Sequence, residues 1–450
     1  MPTPLTDSHG CPITGANSAA LAYFDQAVAS FGLYRGDPVA LLDNACQEAP
    51  GFVMAHLLKA YLYAVATEPD AARLARVLAD GIRAMPRNER ETSHLAALDH
   101  MLAGGWSAAA RVLDGINVYY PRDLVALQIG HLVDFYRANA RSLRDRIARV
   151  LPQWSPELAG YSLLLGMFAF GLEETGDYAR AEATGREAIT RQPFDCWAHH
   201  AVTHVMEMQG RSQDGVGWMI TREPWWAADD NLFKVHNWWH RALFHLDLEQ
   251  SAQALDLYDS RIRQTRSAVV LDMVDASALL WRLHLIGCDV GQRWTELATA
   301  WDAHADGMLY PFNDWHAVMA YLGAQRGTEV ERLLGALRLC AASGSETGRW
   351  ARETGLPLIQ GFVAFWRGDY RDATDLLFGA RAVANSWGGS HAQRDVIDWT
   401  LIEAALRGGQ TELATALSHE RLSLKPHSPV NRRLLARSMA PADSMAASGT

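Results

Sequence analysis

The sequence predicts an all-α fold, and three observations carry that expectation. Segments of roughly 12 to 18 residues, rich in alanine and leucine, place apolar positions three and four apart and close on Gly, Pro or Asn. No stretch alternates apolar and polar residues in the Val-, Ile- and Thr-rich manner of a strand. Of 450 residues, 49% are apolar and 20% charged, so a folded core is expected rather than disorder.

Taken in order, residues 1–17 read as an extended leader with turn residues Pro2, Pro4, Gly10, Pro12 and Gly15. The first helix follows in SAALAYFDQAVASFGLY, with Ser18 as its cap. Pro38 opens a second in PVALLDNACQEA, because its fixed φ suits a first turn. The pattern continues through PGFVMAHLLKAYLYAVA, PDAARLARVLADGIRAM, NERETSHLAALDHMLAG and SAAARVLDGINVYYP. Paired helices of this length invite a repeat near 34 residues. It is clearest in LLLGMFAFGLEETGDYARAEATGREAITRQP, where the small Ala169, Gly176, Ala181 and Ala188 permit close packing and Pro193 ends the second helix. IQGFVAFWRGDYRDATDLLFGA repeats it with Gly368-Asp369-Tyr370 and Ala373, and LIEAALRGGQTELATALSHERLSLKP does so more weakly. The expected architecture is therefore an irregular tetratricopeptide-like α-solenoid, a right-handed superhelix of helix pairs curling around a central pocket. No Gly/Ser- or Pro-rich linker divides the middle, so residues 18–438 are expected to form one continuous superhelix. Residues 439–450, small and polar, read as a disordered tail.

The net charge of −10 comes with no Lys/Arg run or basic stripe, which disfavours a nucleic-acid partner and an anionic membrane surface. Cys11, Cys46, Cys196, Cys288 and Cys340 are scattered and form no Cys-x-x-Cys, which fits a reducing compartment. The first residues lack a signal peptide's basic and apolar regions. The longest uncharged apolar run, Gly160 to Leu172, is 13 residues, whereas a membrane span needs about 20. A cytoplasmic protein is expected.

Chemistry concentrates between Pro193 and Leu248. His200 and His204 stand four apart with Glu207 after them, and His236 and His240 repeat the spacing, so each set lies on one helix face. Two imidazoles at that spacing can share a metal ion, with Glu207 as ligand or base, or can simply hydrogen-bond in a seam between helices. Six of the 16 tryptophans (Trp197, Trp218, Trp225, Trp226, Trp238, Trp239) fall here, as pocket walls or as fillers of wide interhelical gaps. The connection REPWWAADDN reads as a lip or lid. Cys196 and His200 are also four apart, although cysteine is more often a small buried residue.

Three later segments add polar groups to apolar runs. Asp272 and Asp275 interrupt VVLDMVDASALLWRLHL and need buried partners. Asn313 or Asp314 reads as the cap of a helix starting near Trp315, with His316 in its first turn. After Gly388-Gly389, Ser390 or a neighbour starts a helix whose N-terminus gathers His391, Gln393, Arg394 and Asp395, a setting that favours an anion. The Arg394 fork can clamp a carboxylate or phosphate, or pair with Asp395 or Asp398.

The segments HAVTHVMEMQGR (200–211), HNWWHRALFHLDL (236–248), VDASALLWRL (274–283), FNDWHAVMAYLGA (312–324) and GGSHAQRDV (388–396), in this order, resemble the tetratricopeptide repeat protein 38 family. The resemblance extends over about residues 15–435. It implies a cytosolic all-helical protein with divergent repeats and brings no settled biochemical activity. It also implies that His200, His204, Glu207, His236, Trp239, His240, Asp275, Asp314, His316, Gln393, Arg394 and Asp395 recur, while His391 stands at a variable position. Recurring residues that are polar and titratable have the profile of a site.

The sequence thus points to a protein that binds, or acts on, a small anionic organic molecule. His204 or His240 serves as general acid/base, oriented by Glu207 or Asp275, with His316 beside them. Trp239, Asp314, Gln393, Arg394 and Asp395 are the substrate-binding candidates. Hydrolysis or addition–elimination is the expected chemistry. No motif requires a cofactor, and a divalent metal on His200, His204, His236 and His240 is the metal-assisted variant. The competing expectation is a non-catalytic scaffold that takes a peptide or protein partner in its concave groove. A homo-oligomer is compatible with either.

Overall fold

The computed structural model describes residues 5–440, which carry 24 α-helices and no strand beyond two isolated bridges, Thr6 with Pro12 and Arg35 with Asn231. The fold is all-α, built from consecutive helices packed as tetratricopeptide-like pairs. It divides into two compact units. The first comprises Met1–Val202, Arg222–Asn237 and Ser343–Arg349, and the second Thr203–Thr221, Trp238–Ala342 and Trp350–Thr450. Part of the leader, residues 1–4, and most of the expected tail, residues 441–450, lie outside the described residues.

In the first unit the helix pairs include Val53–Val65 with Pro69–Arg83, Glu89–Leu102 with Trp106–Tyr119, and Tyr161–Glu174 with Tyr178–Arg191. Small residues set the last of these distances. A Cβ on Gly185 would stand 2.7 Å from Val202 Cγ2 and 3.5 Å from Ala169 Cβ, so a side chain there would force the helices apart. The N-terminal segment is tied down by buried ions. Arg90 donates to Asp123 at 2.6 Å and to the Pro12 carbonyl at 3.1 Å, and Asp7 completes the group. Asp123 also caps the helix Leu124–Tyr136 through Ala126 N–H.

The second unit is organised around the helix Val270–Leu285, buried along almost its whole length. It packs against Pro311–Gly323 and His391–Arg407. Because no face is left for solvent, its polar side chains find partners inside. Ser277 Oγ accepts from Trp301 Nε1 at 3.0 Å, and Trp281 Nε1 donates to Thr400 Oγ1 at 3.0 Å.

Three local expectations need correction. Asn17, not Ser18, caps the first helix, because its side chain accepts from Ala20 N–H at 2.8 Å. Arg222 to Trp226 belong to the helix Ser212–Trp226, which runs on through Pro224, so only the stretch after Trp226 is a connection. The helix Pro311–Gly323 starts at Pro311, with Tyr310 in the cap position. Asp314 therefore lies inside its first turn, and His316 falls in the second.

Candidate functional site

Glu207 belongs with His200 and His204 to the helix Cys196–Met208, and Trp239 belongs with His236 and His240 to Lys234–Asp247. In the first unit, His200 and His236 are buried with their Nε2 atoms 3.1 Å apart. That is a ring-to-ring hydrogen bond, and it is also close to the separation, about 3.3 Å, of neighbouring nitrogen ligands on a tetrahedral zinc. In the second unit the rings of His204 and His240 have centroids 4.5 Å apart, edge to face. His240 Nδ1 lies 3.0 Å from Glu207 Oε2. A carboxylate can only accept there, so Nδ1 carries the proton.

The group these residues surround is one the sequence did not single out. Arg282, 1% exposed on Val270–Leu285, holds its guanidinium 5.5 Å from the Trp239 ring centroid. Its Nη2 donates to the Ala392 carbonyl at 2.8 Å and its Nη1 to the Ala278 carbonyl at 3.1 Å. No carboxylate of the described residues forms an ion pair with it, although Asp395, Glu207 and Asp275 lie near enough for their charges to act on it. Burial pulls this guanidinium down to about 10, so at neutral pH it remains a cation. Asp275 and Arg282 are seven residues apart and return to the same helix face, which is the sequence signal that could have found Arg282.

Arg282 lines a cleft of about 30 Å³ together with Glu207, Asp247, Asp395, Arg421 and Lys425. Asp395 and Arg421 form a two-pronged pair at 2.7 and 3.1 Å, and Lys425 Nζ stands 3.9 Å from Glu207 Oε1. The Arg421 and Lys425 cations beside Asp395 hold its carboxyl below the usual range. A second cleft, about 70 Å³, shares Asp395, Arg421 and Lys425. The ion pair is therefore a wall common to both.

The remaining sequence candidates are placed as follows. His316 is fully buried, its Nδ1 donates to the Phe312 carbonyl at 2.8 Å, and its Nε2 has no hydrogen-bond partner among the described residues. Burial pulls this ring down to about 3, and the Arg282 charge acts in the same direction. Asp314 turns toward the loop before its helix and accepts from Gly307 N–H at 3.0 Å; burial pushes its carboxyl well above the ordinary value. Gln393 closes a capping box with Ser390. Arg394 donates to the carbonyls of Gly388 and Gly389, while Asp398 pairs with Arg381 at 2.9 Å. In the second unit, then, His204, Glu207, Trp239, His240, Asp275, His316 and Asp395 come together with Arg282. Asp314, Gln393 and Arg394 are engaged in local structure.

No family model matches the chain. Among solved structures it is similar to a chain of the APC/C hetero-tetramer Cut9-Hcn1, at 13% identity and TM-score 0.43, over 94% of this chain and 76% of that one. It is also similar to the human IFIT1 dimer with m7Gppp-AAAA, at 12% identity and TM-score 0.44, over 94% and 95%. No helix among the described residues is long and apolar enough to cross a membrane.

Proposed function

We propose that the second unit binds the charged head of a small organic anion at Arg282, and that His240, oriented by Glu207, performs general acid/base chemistry on it. The observation that carries this reading is the unpaired guanidinium. A buried charge costs several kcal/mol unless an opposite charge neutralises it, and arginine cannot escape by losing its proton near neutral pH. Two of the three neighbouring acids are committed elsewhere, Asp395 to Arg421 and Glu207 to His240, and Asp275 forms no ion pair with Arg282 among the described residues. An incoming carboxylate or phosphate would supply the missing charge and accept from the guanidinium fork. His240 Nε2 is then the proton acceptor for hydrolysis or addition–elimination.

The experiment for the anion is thermal unfolding of the full chain against a panel of small carboxylates and phosphate esters. At a hundredfold excess over Kd a true ligand adds about 2.7 kcal/mol, a rise of a few degrees. Arg282→Met should abolish the response, and His240→Asn should keep it while losing turnover of the same compound. If no anion raises Tm while a helical peptide does, the scaffold reading replaces this one.

A further inference from the structure

A second buried feature lies in the first unit and owes nothing to the anion site. A cavity of about 10 Å³ is lined by Tyr34, Gln128, His131, Leu163, Asp195 and Trp197, among others. That is room for about one water-sized group. Its polar lining is unusual for so buried a place. Asp195 is 1% exposed; its Oδ1 accepts from Ala198 N–H at 2.9 Å, but Oδ2 has no partner among the described residues. Gly166 keeps that oxygen uncovered, since a Cβ there would stand 3.0 Å from it. His131 is 1% exposed and neither ring nitrogen has a hydrogen-bond partner among the described residues.

The walls are aromatic. Trp197 stacks on Tyr34 with centroids 5.6 Å apart, and His131 meets Trp197 edge to face at 5.6 Å. Among the described residues no Lys or Arg lines the cavity, although the Arg146 charge reaches His131. Burial pushes the Asp195 carboxyl up to about 7 and pulls His131 down to about 3, so at mildly alkaline pH the lining is an ionised carboxylate beside a neutral imidazole.

We propose that this cavity binds a primary ammonium group, either ammonium ion or the protonated head of a small amine. Its N–H groups donate to Asp195 Oδ2 and to a His131 ring nitrogen, and its charge faces the aromatic walls. Each feature answers one property of such a ligand: the carboxylate its charge, the imidazole lone pair a further N–H, and the rings the attraction of a cation for a π face. The size fits, because an ammonium head occupies about the volume of a water. The Trp197 N–H, also without an acceptor among the described residues, is left unserved by a cation.

The test compares ammonium chloride, methylammonium chloride, sodium chloride and urea at equal concentration and ionic strength, at pH 8, on the full chain. Ammonium or methylammonium should raise Tm by about 3 °C more than sodium. Asp195→Asn, which keeps the helix cap because asparagine caps as well as aspartate, should erase that difference. Should the variant fail to fold, the wild type still decides: 15N-labelled ammonium should give a protected proton signal with cross-relaxation to Trp197 or His131. Equal shifts for ammonium and sodium, or an equal shift with urea, or no protected signal, would overturn the proposal and leave a hydration site.

Discussion

Arg282 in the second unit and Asp195 in the first are both buried, both ionisable, and both lack an ion-pair partner among the described residues. They solve the cost of burial differently. Burial lifts the Asp195 carboxyl to about 7, so the group can discharge itself by holding a proton. Burial lowers the Arg282 guanidinium only to about 10, which leaves it charged at any physiological pH. The carboxyl therefore calls for a cation only when conditions ionise it, whereas the guanidinium stays charged throughout. The second unit holds the stronger claim to a ligand for that reason.

The largest effect should come from making the second unit's paired arginine resemble its unpaired one. Asp395→Asn leaves Arg421 buried without its carboxylate. Losing one partner of a buried pair costs about 3 to 5 kcal/mol. Because the Asp395 side chain is 25% exposed to the cleft, the low end, about 3 kcal/mol, is expected from urea unfolding. A loss under about 0.5 kcal/mol would mean that an unpaired arginine is cheap here, and Arg282 would lose its force as an argument.

A smaller effect separates the two groups that share the first unit's cavity. His131 titrates near 3 when folded and near 6.5 when unfolded, so the unfolded chain takes up the proton first as pH falls. Its stabilisation is complete above 6.5 and is lost on the way down to 3. Asp195 has the opposite sign. Its folded value, about 7, exceeds the ordinary 3.8, so its contribution is complete below 3.8 and is lost as pH rises through 7. Each is worth about 1.4 kcal/mol per pH unit inside its window. Between pH 6.5 and 5.5 the two slopes oppose, so His131→Phe should make stability rise further as pH falls and Asp195→Asn should make it fall. The same sign for both would refute the assignment of their charge states.

Much of this fold was legible because its punctuation is local. Pro38 in a first turn and a helix start near Ser390 were visible as residue types. The failures were also local choices, decided by packing. Pro224 would ordinarily end a helix, yet Ser212–Trp226 continues through it and buries Trp226 completely. Asp314 looked like a cap, but Pro311 already starts that helix. Within the site, His240 and Glu207 could be singled out because four- and seven-residue spacings define a face. Arg282 shares a face with Asp275 by the same spacing, but its meaning lies in its surroundings. Only the structure shows that Glu207, Trp239, Asp395 and Ala392, distant in sequence, meet around a guanidinium without pairing its charge.

The finest distinction between the two groups is the effect of deleting each charge with no ligand present. Arg282→Met removes an unneutralised cation and keeps most of the apolar stem against Trp239. The Ala278 and Ala392 carbonyls that it served lie inside helices and can retain backbone partners. The variant should therefore be more stable than the wild type, by about 1 kcal/mol after the lost cation–π contact is discounted. Asp195→Asn at pH 3.5, where the carboxyl largely holds its proton in the folded and the unfolded chain alike, exchanges one neutral cap for another and should change stability by less than about 0.5 kcal/mol. Urea unfolding, at pH 6 for the first variant and pH 3.5 for the second, measures both. If Arg282→Met instead lost several kcal/mol, the guanidinium would be a structural keystone whose charge the fold already satisfies, and the anion would no longer be needed to explain it.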